Sequence, residues 1–176
     1  MKIVIMRHGA AEMQADSDAL RNLTDAGHEQ ARRAGHCLQQ QGFLPEQLWV
    51  SPYNRARQTA RGVLQALGGE GQQPQARTVD TLVPGGPAAA ALQAIAGFRG
   101  NSLLIVSHQP LVSALVGALT SAEVVNGKAF NTHSSHSRSG PPMAPASMAM
   151  LSADEPLAGC CELLWLRHAP TFDISW

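Results

Sequence analysis

Charge of one sign is what this chain most plainly lacks. Thirteen Lys and Arg balance thirteen Asp and Glu over 176 residues, so the formal net charge is zero. No overall field draws such a protein to nucleic acid or to an anionic membrane, and any anion site must be built locally. Cysteine is scarce: Cys37, Cys160 and Cys161 are the three present. An odd count with an adjacent pair argues against a disulfide scaffold, and the spacing fits no zinc pattern. Buried thiols in a reducing compartment are expected, hence a cytoplasmic protein. No run of about 18 apolar residues exists, so no membrane span is expected. The four apolar residues between Lys2 and Arg7 are too short for a secretory signal. No carboxylate cluster suits magnesium. What remains is an ordinary globular composition, 44% hydrophobic, at a length that fits one domain over residues 1–176.

Ile3-Val4-Ile5-Met6 is a continuous, β-branched apolar run, the pattern of a strand buried on both faces in a parallel sheet. Thr24 is placed to cap a helix running to about Gln41, where Gly42 stops it. Leu48-Trp49-Val50 is a second strand, followed by a helix from about Asn54 to Leu67. Arg77 to Val79 has the pattern of a weak strand, Ala88 to Phe98 of a helix, and Ser102 to Val106 of a strand. Pro110 suits the first turn of the helix that carries Leu111, Leu115 and Leu119. Residues 121–146 are polar and turn-rich and are expected to form a loop insertion. Its His133 and His136 fit a solvated Ser/His tract better than a metal site. Ser147 to Leu151 and Glu162 to Leu166 should form a terminal hairpin. Strands alternating with helices predict an α/β fold with a largely parallel sheet.

Four groups able to do chemistry fall just after strands or at helix starts: Arg7 and His8, Arg55, and His108. Ligands of open parallel sheets bind outside the carboxyl ends of the strands, so these residues should converge. Two guanidinium forks match the oxygens of a phosphoryl group or another tetrahedral anion. An unprotonated imidazole can attack phosphorus, and a second can donate to an equatorial oxygen. The arginines supply the positive charge, so neither metal nor cofactor is expected. Arg57 lies about 200° around the helix from Arg55 and should face elsewhere.

Three segments carry a family resemblance. Met6-Arg7-His8-Gly9, Ser51-Pro52-Tyr53-Asn54-Arg55-Ala56-Arg57-Gln58-Thr59 and Val106-Ser107-His108-Gln109-Pro110 resemble, in order and spacing, the signatures of the histidine phosphatase superfamily. Residues 17–27 are similar to a segment of its SixA-type phosphohistidine phosphatases. The resemblance implies a three-layer α/β/α, phosphoglycerate mutase-like fold. Its mostly parallel sheet would have about six strands and end in a C-terminal hairpin. It also implies that His8 carries the phosphoryl group, that Arg7 and Arg55 bind phosphate, and that His108 completes the pocket. Arg21 stands where a further phosphate-facing arginine is expected.

Larger members of this superfamily carry a proton-donating carboxylate and insertions that cap the site. Here about thirty-five residues separate Leu67 from Ser102, too few for a cap, and an open pocket suits a phosphorylated protein side chain. Where an acid is expected the chain has Val79-Asp80-Thr81-Leu82, and Thr81 stands where Glu is frequent. Asp80 and Asp18 are the candidate acids. A pocket without a strong acid favours P–N over P–O cleavage, because imidazole leaves a protonated phosphohistidine as a neutral molecule. The expected partner is a phosphohistidine-bearing signalling or phosphotransfer protein, acted on by a monomer. The alternatives are a small-molecule phosphomonoesterase of the same superfamily and a non-catalytic phosphate-binding module. Leu166-Arg167-His168-Ala169-Pro170 echoes the first signature without its glycine and without partner motifs, and should not be a second site.

Overall fold

The computed structural model describes residues 1–68, 74–120, 124–125, 128–129, 140–172 and 174–175. Strand β1 (Lys2–Arg7) lies in the middle of a seven-stranded sheet. Helix α1 (Asp25–Gln40), strand β2 (Gln47–Val50), helix α2 (Asn54–Leu67) and strand β3 (Gln75–Thr78) follow. Next come helix α3 (Ala88–Ala96), strand β4 (Ser102–Ser107) and helix α4 (Leu111–Thr120). A short antiparallel pair, β5 (Val124–Val125) and β6 (Lys128–Ala129), precedes β7 (Met148–Ser152), β8 (Glu162–Arg167) and β9 (Ile174–Ser175). The order across the large sheet is β3-β2-β4-β1-β7-β8-β9. The first four of these run parallel and the last three antiparallel.

β1 is apolar at every inner position because it pairs on both edges and is covered on both faces. Ile3 and Ile5 join Leu103 and Ile105 of β4 beneath α3 and α4, in a core that includes Ile95, Leu115 and Leu119. Val4 and Met6 point the other way, with Leu104 and Val106, toward Ala34 and Leu38 of α1 and Val63 of α2. The alternation is the period of two that a pleated strand imposes. The result is three layers, α/β/α, as expected, with six strands of the expected sheet and the two-residue β9 added at its edge.

Small residues let α1 and α2 approach closely. A Cβ on Gly62 would lie 2.9 Å from the Ala31 side chain, and one on Gly35 2.5 Å from the Val63 carbonyl oxygen. The Thr24 hydroxyl caps α1 by accepting from Gly27 N at 3.2 Å. Gly27 itself is pressed against the chain leaving β1: a Cβ there would overlap the Ala10 carbonyl, and one on Gly9 would lie 2.7 Å from the Gly27 oxygen. The start of α1 is thereby packed, backbone on backbone, against the loop that presents His8.

Three expectations shift. The weak strand runs over Gln75–Thr78 rather than Arg77 to Val79, because its register is set by pairing with Gln47–Val50. The helix placed over Ala88 to Phe98 stops at Ala96, leaving Phe98 to pack edge-on to Trp49. The 121–146 segment is not all loop: it includes β5 and β6, and its last residues enter the core, with Met143 and Ala146 buried. Polar composition hid those two anchors. His133 and His136 lie outside the described residues.

Replacing Gly27 with Ala should lower the free energy of unfolding by about 1–3 kcal/mol, the usual cost of overpacking a tight contact. Urea denaturation measures it, and a Gly27→Ala protein as stable as its parent would show that the loop yields freely.

Candidate active site

The site follows from strand register. β1 and β4 are neighbours with Arg7 opposite Ser107, so the next residue on each, His8 and His108, leaves the sheet side by side. Their ring centroids are 4.9 Å apart. β2 lies on the far side of β4 with Val50 opposite Val106, which brings Ser51 to His108: its hydroxyl is 2.8 Å from Nε2. The first turn of α2 then returns Arg55 over the sheet end, 4% exposed, with Nε 3.2 Å from His8 Nε2. The four residues singled out in the sequence are thus brought to one place.

Hydrogen bonds fix the chemistry of His8. Its Nδ1 lies 2.7 Å from the Gly9 carbonyl oxygen, which can only accept, so Nδ1 carries the hydrogen. Nε2 therefore holds the lone pair, and the Arg55 Nε–H donates to it. Burial pushes the His8 pKa down to about 4; the Gly9 bond opposes the shift, while Arg55, Arg7 and Arg21 reinforce it. His108 is pushed down to about 3 by burial first, then by His8 and Arg55. Both rings are neutral at pH 7. Among the described residues, His108 Nδ1 and Arg7 Nε are buried atoms without a partner. Arg7 is otherwise anchored through Nη1, which donates to the Met143 carbonyl at 2.9 Å. Burial and the neighbouring Arg55 lower its pKa. The two guanidiniums repel here, and the Arg7 Nε–H is a donor without an acceptor among the described residues: a tetrahedral anion would answer both.

Asp18 lies at the outer edge of this cluster. Its carboxylate accepts from Arg55 Nη2 at 2.9 Å through one oxygen and from Arg21 Nη1 at 2.9 Å through the other. Arg21 also donates through Nε to the Glu12 carbonyl. Burial raises the Asp18 pKa, but the bonds from Arg55 and Arg21 outweigh it and hold the carboxyl below its ordinary value. A carboxyl held ionised in this way is a poor proton donor. Asp80 is exposed, and neither ion pair of the cluster includes it. Thr81 Oγ1 is buried without a partner and has no acidic proton to give. Among the described residues, no three His, Cys, Asp or Glu side chains come together at metal-ligand spacing.

The quoted motifs contain supporting residues whose parts only the structure reveals. Thr59 accepts from Gly9 N at 3.0 Å and donates to the Arg55 carbonyl at 2.7 Å, tying the His8 loop to α2. Gln58 accepts from Leu23 N at 2.7 Å, and Gln30 from Ala10 N at 2.8 Å. The Tyr53 ring lies edge-on to His108, with the Arg55 guanidinium 5.0 Å from its centroid. Gln109 donates to the Met143 carbonyl at 3.2 Å and so steadies the acceptor that holds Arg7. No sequence signal marks Met143, because any residue can offer a carbonyl. Arg57 is exposed, as its helical position predicts. His168 is engaged elsewhere, with Nδ1 2.6 Å from Ser147 Oγ, and Arg167 reaches Cys37 Sγ at 3.0 Å.

Comparison with known proteins agrees with this geometry. The family model for the histidine phosphatase superfamily (branch 1) matches residues 3–79. Phosphohistidine phosphatase SixA of Escherichia coli (strain K12) is 36% identical over 126 residues, covering 70% of this chain and 76% of the relative. The chain belongs to the histidine phosphatase superfamily. A SixA homolog from Haemophilus influenzae is also 36% identical over 127 residues, covering 68% of this chain and 77% of that one. The superfamily fold extends beyond the matched sequence. The solved structure of the protein histidine phosphatase SixA complexed with tungstate covers 94% of this chain and 96% of its own, at 32% identity and TM-score 0.74.

The pKa values set a test on the free protein. Both imidazoles should stay neutral through pH 6.5, where an unperturbed histidine is half protonated. By NMR, His8 should titrate near 4 and His108 near 3. A midpoint near 6.5 for either would contradict the buried, guanidinium-flanked pocket.

Proposed function

We propose that this protein is a phosphohistidine phosphatase that removes phosphate from a phosphorylated histidine on a partner protein, with His8 as the nucleophile. The carrying observation is the pair of arginines, half-buried Arg7 and buried Arg55, beside two neutral imidazoles, with His108 Nδ1 and Arg7 Nε left unpartnered among the described residues. The names of the relatives, SixA among them, support the same reading.

The reaction runs in two steps. His8 Nε2 forms a bond to phosphorus as the P–N bond of the substrate breaks, and the leaving imidazole keeps both electrons of that bond. If its second nitrogen is protonated, it departs neutral. Positive charge grows on the His8 ring as it is phosphorylated, and the Gly9 carbonyl accepting from Nδ1–H opposes that charge. Arg7, Arg55 and His108 hold the equatorial oxygens. Water then attacks phosphorus, the P–N bond to His8 breaks with its electron pair returning to Nε2, and inorganic phosphate leaves carrying both protons of the water. Arg21 acts from the second rank, where it shares the Asp18 carboxylate with Arg55.

Phosphoramidate rather than ester cleavage is favoured by the acids. Asp18 is held ionised, Asp80 stands outside the ion-pair cluster, and an alkoxide leaving without a proton is costly. We assign the protein to the cytoplasm as a monomer of one domain; its three cysteines are free thiols.

His8→Ala should abolish turnover of a phosphohistidine peptide, and acid-labile phosphate should be trapped on wild-type His8. His168→Ala should leave turnover within about twofold, since its ring contacts Ser147 and not the cluster. Faster cleavage of alkyl phosphate monoesters than of the phosphohistidine peptide would overturn the assignment.

A further inference from the structure

Helix α2 carries a second pair of arginines that the site does not use. Arg57 and Arg61 are exposed one turn apart and border a groove of about 430 Å³ between α2 and the β2–β3 edge of the sheet. Its apolar lining includes Ala60 and Leu64 of α2, Val50 of β2 and Ala76 of β3. Among the described residues, no carboxylate lines it. Arg21, Arg32, Arg33 and Arg55 each have a carboxylate partner, and Arg77 lies over the Trp49 ring. Arg57 and Arg61 have none among the described residues. Like charges one helical turn apart repel, so an anion between or beside the pair would relieve that repulsion. Among the described residues, β3 is the last strand on this side of the sheet.

We propose that this groove docks an extended acidic segment of the phosphorylated partner, with carboxylates on Arg57 and Arg61 and an aliphatic side chain on the apolar floor. The proposal rests on the reading of His8 as a phosphohistidine-cleaving nucleophile. A polypeptide fits better than nucleic acid, because the lining has no aromatic ring among the described residues on which a base could stack. The groove adjoins the site: Val50 precedes Ser51, which contacts His108, and Arg57 follows Arg55 by two residues on α2. Along the helix the arginines lie about 3–9 Å from Arg55, and the far side of the helix adds about 10 Å. An extended chain advances about 3.3 Å per residue, so the acidic segment should lie about three to five residues from the phosphohistidine.

Three substrates test this on the full chain. One is a phosphohistidine peptide with Glu-Leu-Glu about four residues away, made with the motif on either side. The second replaces that motif with Gln-Leu-Gln, and the third is phosphoramidate. Wild-type protein should prefer the acidic peptide by about tenfold in kcat/KM, through KM, and lose the preference in about 0.5 M NaCl. R57E/R61E should abolish the preference and leave phosphoramidate turnover unchanged. Equal kcat/KM for the two peptides with wild-type protein, or an undiminished preference in R57E/R61E, would overturn the docking site while leaving the hydrolase reading intact. Failure of wild-type protein on all three substrates would instead remove that reading. Fluorescence anisotropy of the labelled, unphosphorylated acidic peptide then still decides the groove: binding lost in R57E/R61E supports it. Equal binding by both proteins, or tighter binding of an oligonucleotide of similar length, refutes it.

Discussion

The positive charge of Arg55, buried against His8, and of half-buried Arg7 nearby is the constraint around which the rest of this structure is arranged. Arg7 and Arg55 each depress their neighbours' affinity for protons, and His8 and His108 are neutral partly for that reason. Buried positive charge is tolerable only with partners. The protein supplies some: the Met143 carbonyl for Arg7, the Asp18 carboxylate and the His8 lone pair for Arg55. It leaves Arg7 Nε and His108 Nδ1 unanswered. A pocket with an unmet guanidinium donor and surplus positive charge is organised for an anion before one arrives, which is the condition for stabilising charge without rearrangement.

That charge pair could not be held by side-chain contacts alone. Its position is set by backbone: the in-register parallel pairing of β1 with β4 and of β4 with β2 fixes where His8, His108 and Ser51 emerge. Close packing of Gly9 on Gly27, and the Thr59 bond to Gly9 N, then lock the His8 loop to both α1 and α2. Small residues recur at these contacts because neither helix could approach the loop with a larger side chain in the way.

Most of this was legible in the sequence where a local rule and the tertiary structure agree. The four residues at strand ends were legible because a parallel sheet forces its loops to one edge. The Asn54–Leu67 helix was legible because its apolar period and terminal glycine coincide. What escaped was non-local. Met143 holds Arg7 through a backbone carbonyl in a segment whose composition suggested only loop. Gln58 and Thr59 stood inside a recognised motif, but their partners, Leu23 N and Gly9 N, lie 35 and 50 residues away in the chain. The bridging of Arg55 and Arg21 by Asp18 was invisible too, since ion pairing depends on a turn that brings residue 18 over α2.

Asp18 shows why pairing matters more than proximity in assigning an acid. As an isolated carboxyl near the pocket it would be a candidate proton donor, because a general acid works best with a pKa near the working pH. Burial does push it upward, in the useful direction. Two arginine hydrogen bonds push it further the other way, because each favours the charged carboxylate over the neutral acid. The contacts that make Asp18 a counter-ion for Arg55 and Arg21 therefore disfavour it as an acid. With Asp18 given to the arginines, the described residues favour a leaving group that needs no proton. The imidazole of a protonated phosphohistidine is such a group; the alkoxide of a phosphate ester is not.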